Sequence, residues 1–238
     1  MKKYILLSPA KEMTDSLESQ KASVSRKTLE IIKVLQTYTQ EELQNLYQAS
    51  EKIASKNYIR IRDFHSLGSK KSIDLYQGIV FKTLDFQTLT LDQQNYLIDH
   101  CYILSALYGP IDFNCPIKPY RLDFNMKISI HKKSLRQYWK EELSELFYGT
   151  TLYNIASLEF SSLIDRKNTK VIDFDFYMDE KMSKKAPSAT IKKLRGRLLR
   201  KIGELQSLED DIFSSMTIDE YRFYRRVEDR FIFVKNTF

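Results

Sequence analysis

A chain of 238 residues, 42% of them hydrophobic, can bury a large core, which excludes a disordered or fibrous protein. With only 6 Gly and 5 Pro, long flexible linkers are excluded as well, and one continuous domain over 1–238 is expected. The balance of 38 Lys+Arg against 31 Asp+Glu, a formal +7, is too modest by itself to mark a nucleic-acid binder.

In chain order, residues 4–7 read as a buried first strand, and Ser8-Pro9-Ala10-Lys11 as the loop leaving its carboxyl end. Leu29, Ile31, Ile32 and Leu35 keep helical spacing, and Thr39 with Glu42 forms a capping box before a second helix. A third helix is expected over roughly 51–64. The stretch 72–84 is ambiguous, with Gly78 breaking it and 79–81 open to strand or helical turn. Thr90 and Gln93 form another capping box, opening a helix to about Cys101, and an apolar run continues as far as Gly109-Pro110. Prolines forbid a regular helix over 112–123. Residues 135–147 are amphipathic and carry Trp139, while 152–155 and 171–176 read as short strands. A basic helix over 191–205 and a β-hairpin about Glu228-Asp229 complete the chain. Strands and helices mixed in this order indicate an α/β protein, a mixed sheet with flanking helices and no clean βαβ period.

Charge is unevenly spread. Between 181 and 201 stand Lys181, Lys184, Lys185, Lys192, Lys193, Arg195, Arg197, Arg200 and Lys201, with no acidic residue among them. Helical geometry puts Lys192 near Arg195 on one face and Lys193 near Arg197 on another, with Leu194, Leu198 and Ile202 as the anchoring stripe. Two cysteines, Cys101 and Cys115, and three histidines supply neither a disulfide framework nor a zinc signature, so no metal or cofactor is expected. Nothing approaches the ~20 apolar residues of a membrane span, and the apolar start is too short for a signal peptide. A reducing cytoplasm is the expected setting, with no membrane and no stable protein partner.

Four polar loops come directly after apolar runs, where α/β folds place their sites. Lys11, held by Pro9, reads as a phosphate ligand or a base, although an exposed surface lysine is the commoner reading of such a residue. Tyr108, Gly109, Tyr120 and Arg121 lie between fixing prolines; they suit stacking on a base and a bidentate grip on phosphate, or a packed aromatic corner. Asn154 and Ser157 end a strand and cap the next segment, which either opens an amide terminus to an anion or is capping alone. Lys192, Lys193, Arg195, Arg197 and Arg200 read as phosphate contacts or as a solvated helix face. Asp173 and Asp175, alternating on one strand, face solvent or hold a hard cation.

Taken together, Ser8-Pro9-Ala10-Lys11, Leu107-Tyr108-Gly109, Pro119-Tyr120-Arg121, Tyr138-Trp139, Asn154-Ile155-Ala156-Ser157 and Lys192-Lys193-Leu194-Arg195-Gly196 resemble the successive signatures of the YaaA family, in order from residue 4 to about 235. The resemblance implies a compact α/β protein of unusual topology with a cationic cleft. It also implies non-specific DNA binding through a helix-hairpin-helix element, here over 104–111, and a role in limiting iron-driven damage during peroxide stress. The leading expectation is therefore a stress-response protein that grips nucleic acid through the α-helical cations, Lys11, Arg121 and the Gly109 turn. The alternative is an enzyme on a nucleotide or nucleobase-like molecule, with Lys11, Tyr108 or Lys193 as acid or base. A pure interaction protein, with the basic helix docking an acidic partner, is a third reading. Convergence of Lys11, Tyr108, Arg121, Asn154, Ser157 and Lys193 in one concave pocket would favour the enzyme; an open basic stripe would favour DNA.

Overall fold

The computed structural model describes residues 1–19 and 21–236. Its organising element is β1 (Lys3–Leu7), whose Ile5, Leu6 and Leu7 are buried to 1% exposure or less. So apolar a strand satisfies both its edges with other strands, and β1 pairs in parallel with β3 (Cys101–Ser105) on one side and β8 (Thr151–Asn154) on the other. Between β1 and β3 run α1 (Arg26–Leu35), α2 (Gln40–Tyr47), α3 (Glu51–Arg62), the two-residue β2 (Lys70–Lys71), α4 (Ser72–Leu75), α5 (Ile79–Leu84) and α6 (Leu91–His100). The capping boxes expected at Thr39–Glu42 and Thr90–Gln93 both form, and Gly78 is the N-cap that separates the two short helices of the ambiguous stretch.

After β3 come β4 (Gly109–Ile111), β5 (Pro116–Ile117), β6 (Ser129–Ile130), β7 (Lys133–Ser134) and α7 (Leu135–Phe147). The chain then returns as β8, a single turn α8 (Leu158–Ser161) and β9 (Lys170–Tyr177). It ends in the long basic α9 (Ser188–Leu205), α10 (Asp210–Ser214), β10 (Thr217–Ile218), β11 (Tyr221–Val227) and β12 (Arg230–Lys235). The main sheet has eight strands in the order β10-β11-β12-β9-β8-β1-β3-β4, parallel from β12 to β3 and antiparallel at both ends. A parallel centre with antiparallel edges, flanked by helices, is the mixed α/β architecture expected. Among the described residues no helix is long and apolar enough to cross a membrane.

The segment 104–111 departs from the helix-hairpin-helix expectation. It is a β-hairpin, with Ser105 opposite Gly109. Cys101, Tyr102 and Ile103 pair with β1, and β4 adds the sheet edge beyond them; that pairing outweighs the local pattern. Gly109 sits at φ +77°, where a Cβ would come within 2.5 Å of the Trp139 ring. Trp139 is fully buried and donates its indole N–H to the Ala106 carbonyl at 3.0 Å. Gly109 is thus a packing glycine with no open face for a phosphate.

The basic helix docks through its predicted stripe: Leu194, Leu198 and Ile202 are buried to 1% or less. Between them, Gly196 lets α9 approach α5, for a Cβ there would overlap the Thr83 hydroxyl and the Val80 carbonyl oxygen. Thr83 donates to the Ile79 carbonyl at 2.8 Å and reaches Lys193 O at 3.3 Å, so that contact is made by backbone as well as side chain. In a helix interior Gly→Ala ordinarily stabilises by about 1 kcal/mol. Here overpacking reverses the sign, and Gly196→Ala should destabilise by roughly 1–3 kcal/mol, read as a lowered urea midpoint. A midpoint at or above that of the native protein would show the helices free to separate.

Candidate functional site

Strand order defines where a site belongs. From β1 the chain passes to β3 on one flank, whereas β8 passes to β9 on the other, so a topological switch point lies between their carboxyl ends. Leu6 is opposite Asn154, so both exit loops leave at one level. They are tied together there: the Ser157 N–H donates to Ser8 Oγ at 2.9 Å. Asn154 shapes the second loop from below, accepting from the Ala156 N–H at 3.0 Å and donating to Asp173 Oδ1 at 2.7 Å.

Over this point opens a cavity of about 470 Å³, walled by the β1 exit loop with Lys11, by 120–123, by Ser157, Glu159 and Phe160, by Gly78 and the first turn of α5, and by Lys192 and Arg195 of α9. Its size is that of a small-ligand pocket. The floor is rigid. Tyr120 is buried and hydrogen-bonds Ser105 Oγ at 2.7 Å and Tyr76 Oη at 2.9 Å, while Ser105 also accepts from the backbone of Leu107 and Tyr108.

The charges sort by direction. Lys193 and Arg197 turn to Asp219, at 3.1 and 3.7 Å, and Arg200 pairs with Glu204 at 2.8 Å while closing the end of α5 on Leu84 O. Lys192 and Arg195, on the other face, line the cavity, and with Arg121 they have no ion-pair partner among the described residues. Burial pushes the Arg195 pKa down, opposed by the fields of Asp175 and Asp173, yet an arginine stays charged through such a shift. The run of cations over 181–201 is therefore partly compensated across the fold, with Lys185 also held by Asp175 at 2.9 Å. Asp173 and Asp175 are themselves taken by Arg166, Lys185 and Arg230, and face neither open solvent nor a cation site.

The cavity is also lined by two acids, Asp123 and Glu159, absent from the sequence-derived candidates. Lys11 Nζ pairs with Asp123 Oδ2 at 3.0 Å, and Glu159 lies in their field. Burial raises the Glu159 pKa, Asp123 raises it further, and Lys11 and Arg136 oppose. A carboxyl kept protonated beyond its ordinary range, next to a Lys–Asp pair, is equipped to give and take a proton. Each acid stands two residues beyond a recognised motif, Asp123 after Pro119-Tyr120-Arg121 and Glu159 after the Asn154 loop; extending those motifs was the available signal.

Thus Lys11, Arg121, Ser157, Lys192 and Arg195 converge on the cavity, and Tyr108, Gly109, Asn154, Lys193, Arg197 and Arg200 do not line it. Tyr108 is 6% exposed, donates to Lys118 O at 3.2 Å and accepts from the Lys118 N–H at 3.0 Å; buried and bonded twice, it braces the proline-rich loop. Ser157 is the N-cap of the single turn α8 and makes no side-chain cap bond there. Among the described residues no group of three or more His, Cys, Asp or Glu is arranged to hold a metal ion.

Fold and site together define a mixed-sheet α/β protein with a cavity at its switch point, lined by Arg121, Lys192 and Arg195 among others. A sequence model of the family described as "Peroxide stress protein YaaA" matches residues 3–227. The UPF0246 protein FN1762 of Fusobacterium nucleatum is 30% identical over 247 residues, spanning 97% of this chain and 98% of its own length. A UPF0246 protein of Streptococcus gordonii is 31% identical over 242 residues, with coverage of 97% and 98%. The chain belongs to the YaaA family.

Glu159 gives the site a pH signature. Because its folded pKa lies above the ordinary 4.5, the native state favours the protonated form. That contribution is present below about pH 4.5 and is lost as pH rises through the raised value. Glu159→Gln should remove this loss, so its Tm gains on the native protein as pH is raised from about 4.5 to about 7. Parallel Tm–pH curves for the two proteins would contradict it.

Proposed function

We propose that this protein serves peroxide stress resistance by binding a phosphate-bearing ligand in the cavity between the β1 and β8 loops. One observation carries the reading: Arg121, Lys192 and Arg195 converge on a single cavity without carboxylate partners among the described residues, while Lys193, Arg197 and Arg200 of α9 are paired. Arg121 and Arg195 are partly withdrawn from solvent, where an unpaired cation is costly, and an anion supplies the missing partner. Ile79, Phe81 and Phe160 add apolar wall for the rest of a ligand. Direct thiol chemistry with peroxide is disfavoured, since burial pushes the Cys101 thiol well up and holds Cys115 up to about 11, leaving little reactive thiolate. Limitation of iron-driven damage, which the family resemblance implies, would then run through the ligand.

A second reading, DNA laid across the cavity mouth, is favoured by the exposed position of Lys192 at the rim. Among the described residues, Arg121, Lys192 and Arg195 are the cavity cations free to meet phosphates there. They predict a log–log salt slope of roughly −2.7 on duplex DNA, shallower than the −4.5 or so that five contacts would give. Pyrophosphate at about a hundred times its Kd should raise Tm by roughly 5–10 °C, and a Lys192→Ala/Arg195→Ala protein should lose that rise. No rise in the native protein refutes the pocket reading. A salt slope near zero by fluorescence anisotropy dismisses DNA.

A further inference from the structure

Beside the anion cavity lies a second one, of about 370 Å³, between the end of α2 and the loop beyond Arg121. Lys11, Asp123 and Glu159 face both cavities and form the wall between them. The second lining differs in kind from the first. Asn45, Gln48 and Asn125 offer amides, and Lys11 and Lys127 balance Asp123 and Glu159 in charge. Such a surface suits a neutral group rich in hydrogen-bonding atoms, whereas the first suits an anion.

Unpaired polar atoms mark the same place. Among the described residues, four buried side-chain polar atoms lack a hydrogen-bond partner: Tyr47 Oη, Arg121 Nε, Glu159 Oε1 and Arg197 Nε. The first three belong to residues lining these two cavities, and Tyr47 is only 4% exposed. Native proteins seldom leave such atoms unmatched, and a cluster of them points to a partner that arrives from outside. The Arg121 guanidinium stands 5.9 Å from the centre of the Tyr47 ring, so the cation of one cavity packs on the phenol of the other.

We infer that the two cavities form one bipartite site for a nucleoside monophosphate. Its phosphate meets Arg121, Lys192 and Arg195; its nucleoside enters the second cavity, against Tyr47 and the amides. The linkage between them crosses the Lys11–Asp123–Glu159 wall. Leu46 and Met126 supply apolar surface beside the amides, the mixture a base with its sugar requires. This inference rests on the anion-site reading and adds the ligand class to it.

The test is calorimetric titration of the full chain with inorganic phosphate and with each of the four common nucleoside 5′-monophosphates, repeated on Tyr47→Phe and Asn45→Ala. At least one nucleotide should bind about tenfold more tightly than phosphate. Each variant should lose roughly fivefold in affinity for that nucleotide and nothing for phosphate. Tyr47→Phe removes an unpaired buried hydroxyl, so its ligand-free Tm should equal or exceed the native value, which separates lost binding from misfolding. Equal affinity for phosphate and all four nucleotides, or nucleotide binding untouched by both variants, overturns the inference alone. If neither phosphate nor any nucleotide binds, the anion-site reading falls and the inference goes with it.

Discussion

The parallel pairing of β1 on both its edges governs the arrangement of everything around it. Because β3 and β8 flank β1 and run with it, three exit points lie at one end of the sheet: Ser8, Ser105 and Asn154. Each is used for polar structure. Ser8 receives the Ser157 amide, Ser105 holds Tyr120, and Asn154 braces its own loop against Asp173. The chain leaves β1 and β8 toward opposite flanks, so no backbone fills the space between, and a cavity is the geometric result.

The second determinant is the close packing of α9 on α5. Gly196 permits it, Leu194 and Leu198 secure it, and Arg200 bonds the end of α5. Together these contacts set the rotation of α9, and rotation decides which cations meet solvent, carboxylate or cavity. A turn of the helix by one residue would exchange Lys192 for Lys193 at the rim. The site is therefore built from two independent constraints, strand order and helix rotation, and its electrostatics depend on both.

Much of the fold is legible in the sequence. The strand at the start, the capping boxes at Thr39 and Thr90, the helix with Trp139 and the terminal hairpin all depend on short-range patterns, and short-range physics decides them. The hairpin at 104–111 is not, because its fate depends on β1, nearly a hundred residues away. The candidate site is half legible: Lys11, Arg121, Ser157, Lys192 and Arg195 stand in the cavity, whereas Tyr108 and Gly109 are packing residues. Asp123 and Glu159 escape a sequence reading because an isolated carboxylate in a loop has no local signature; its chemistry arises from the lysine and carboxylate brought beside it.

The mixed α/β class, the family, the element boundaries set by caps and prolines, and the two faces of the basic helix are all written in the chain itself, since each depends on near neighbours. Which cations remain free is instead a matter of tertiary packing. Lys193 and Arg197 are neutralised by Asp219, more than twenty residues onward, while Lys192 and Arg195 face a cavity. The reason is that Coulomb attraction and desolvation depend on distance and burial in space, and for these side chains both are fixed by packing between segments far apart in sequence.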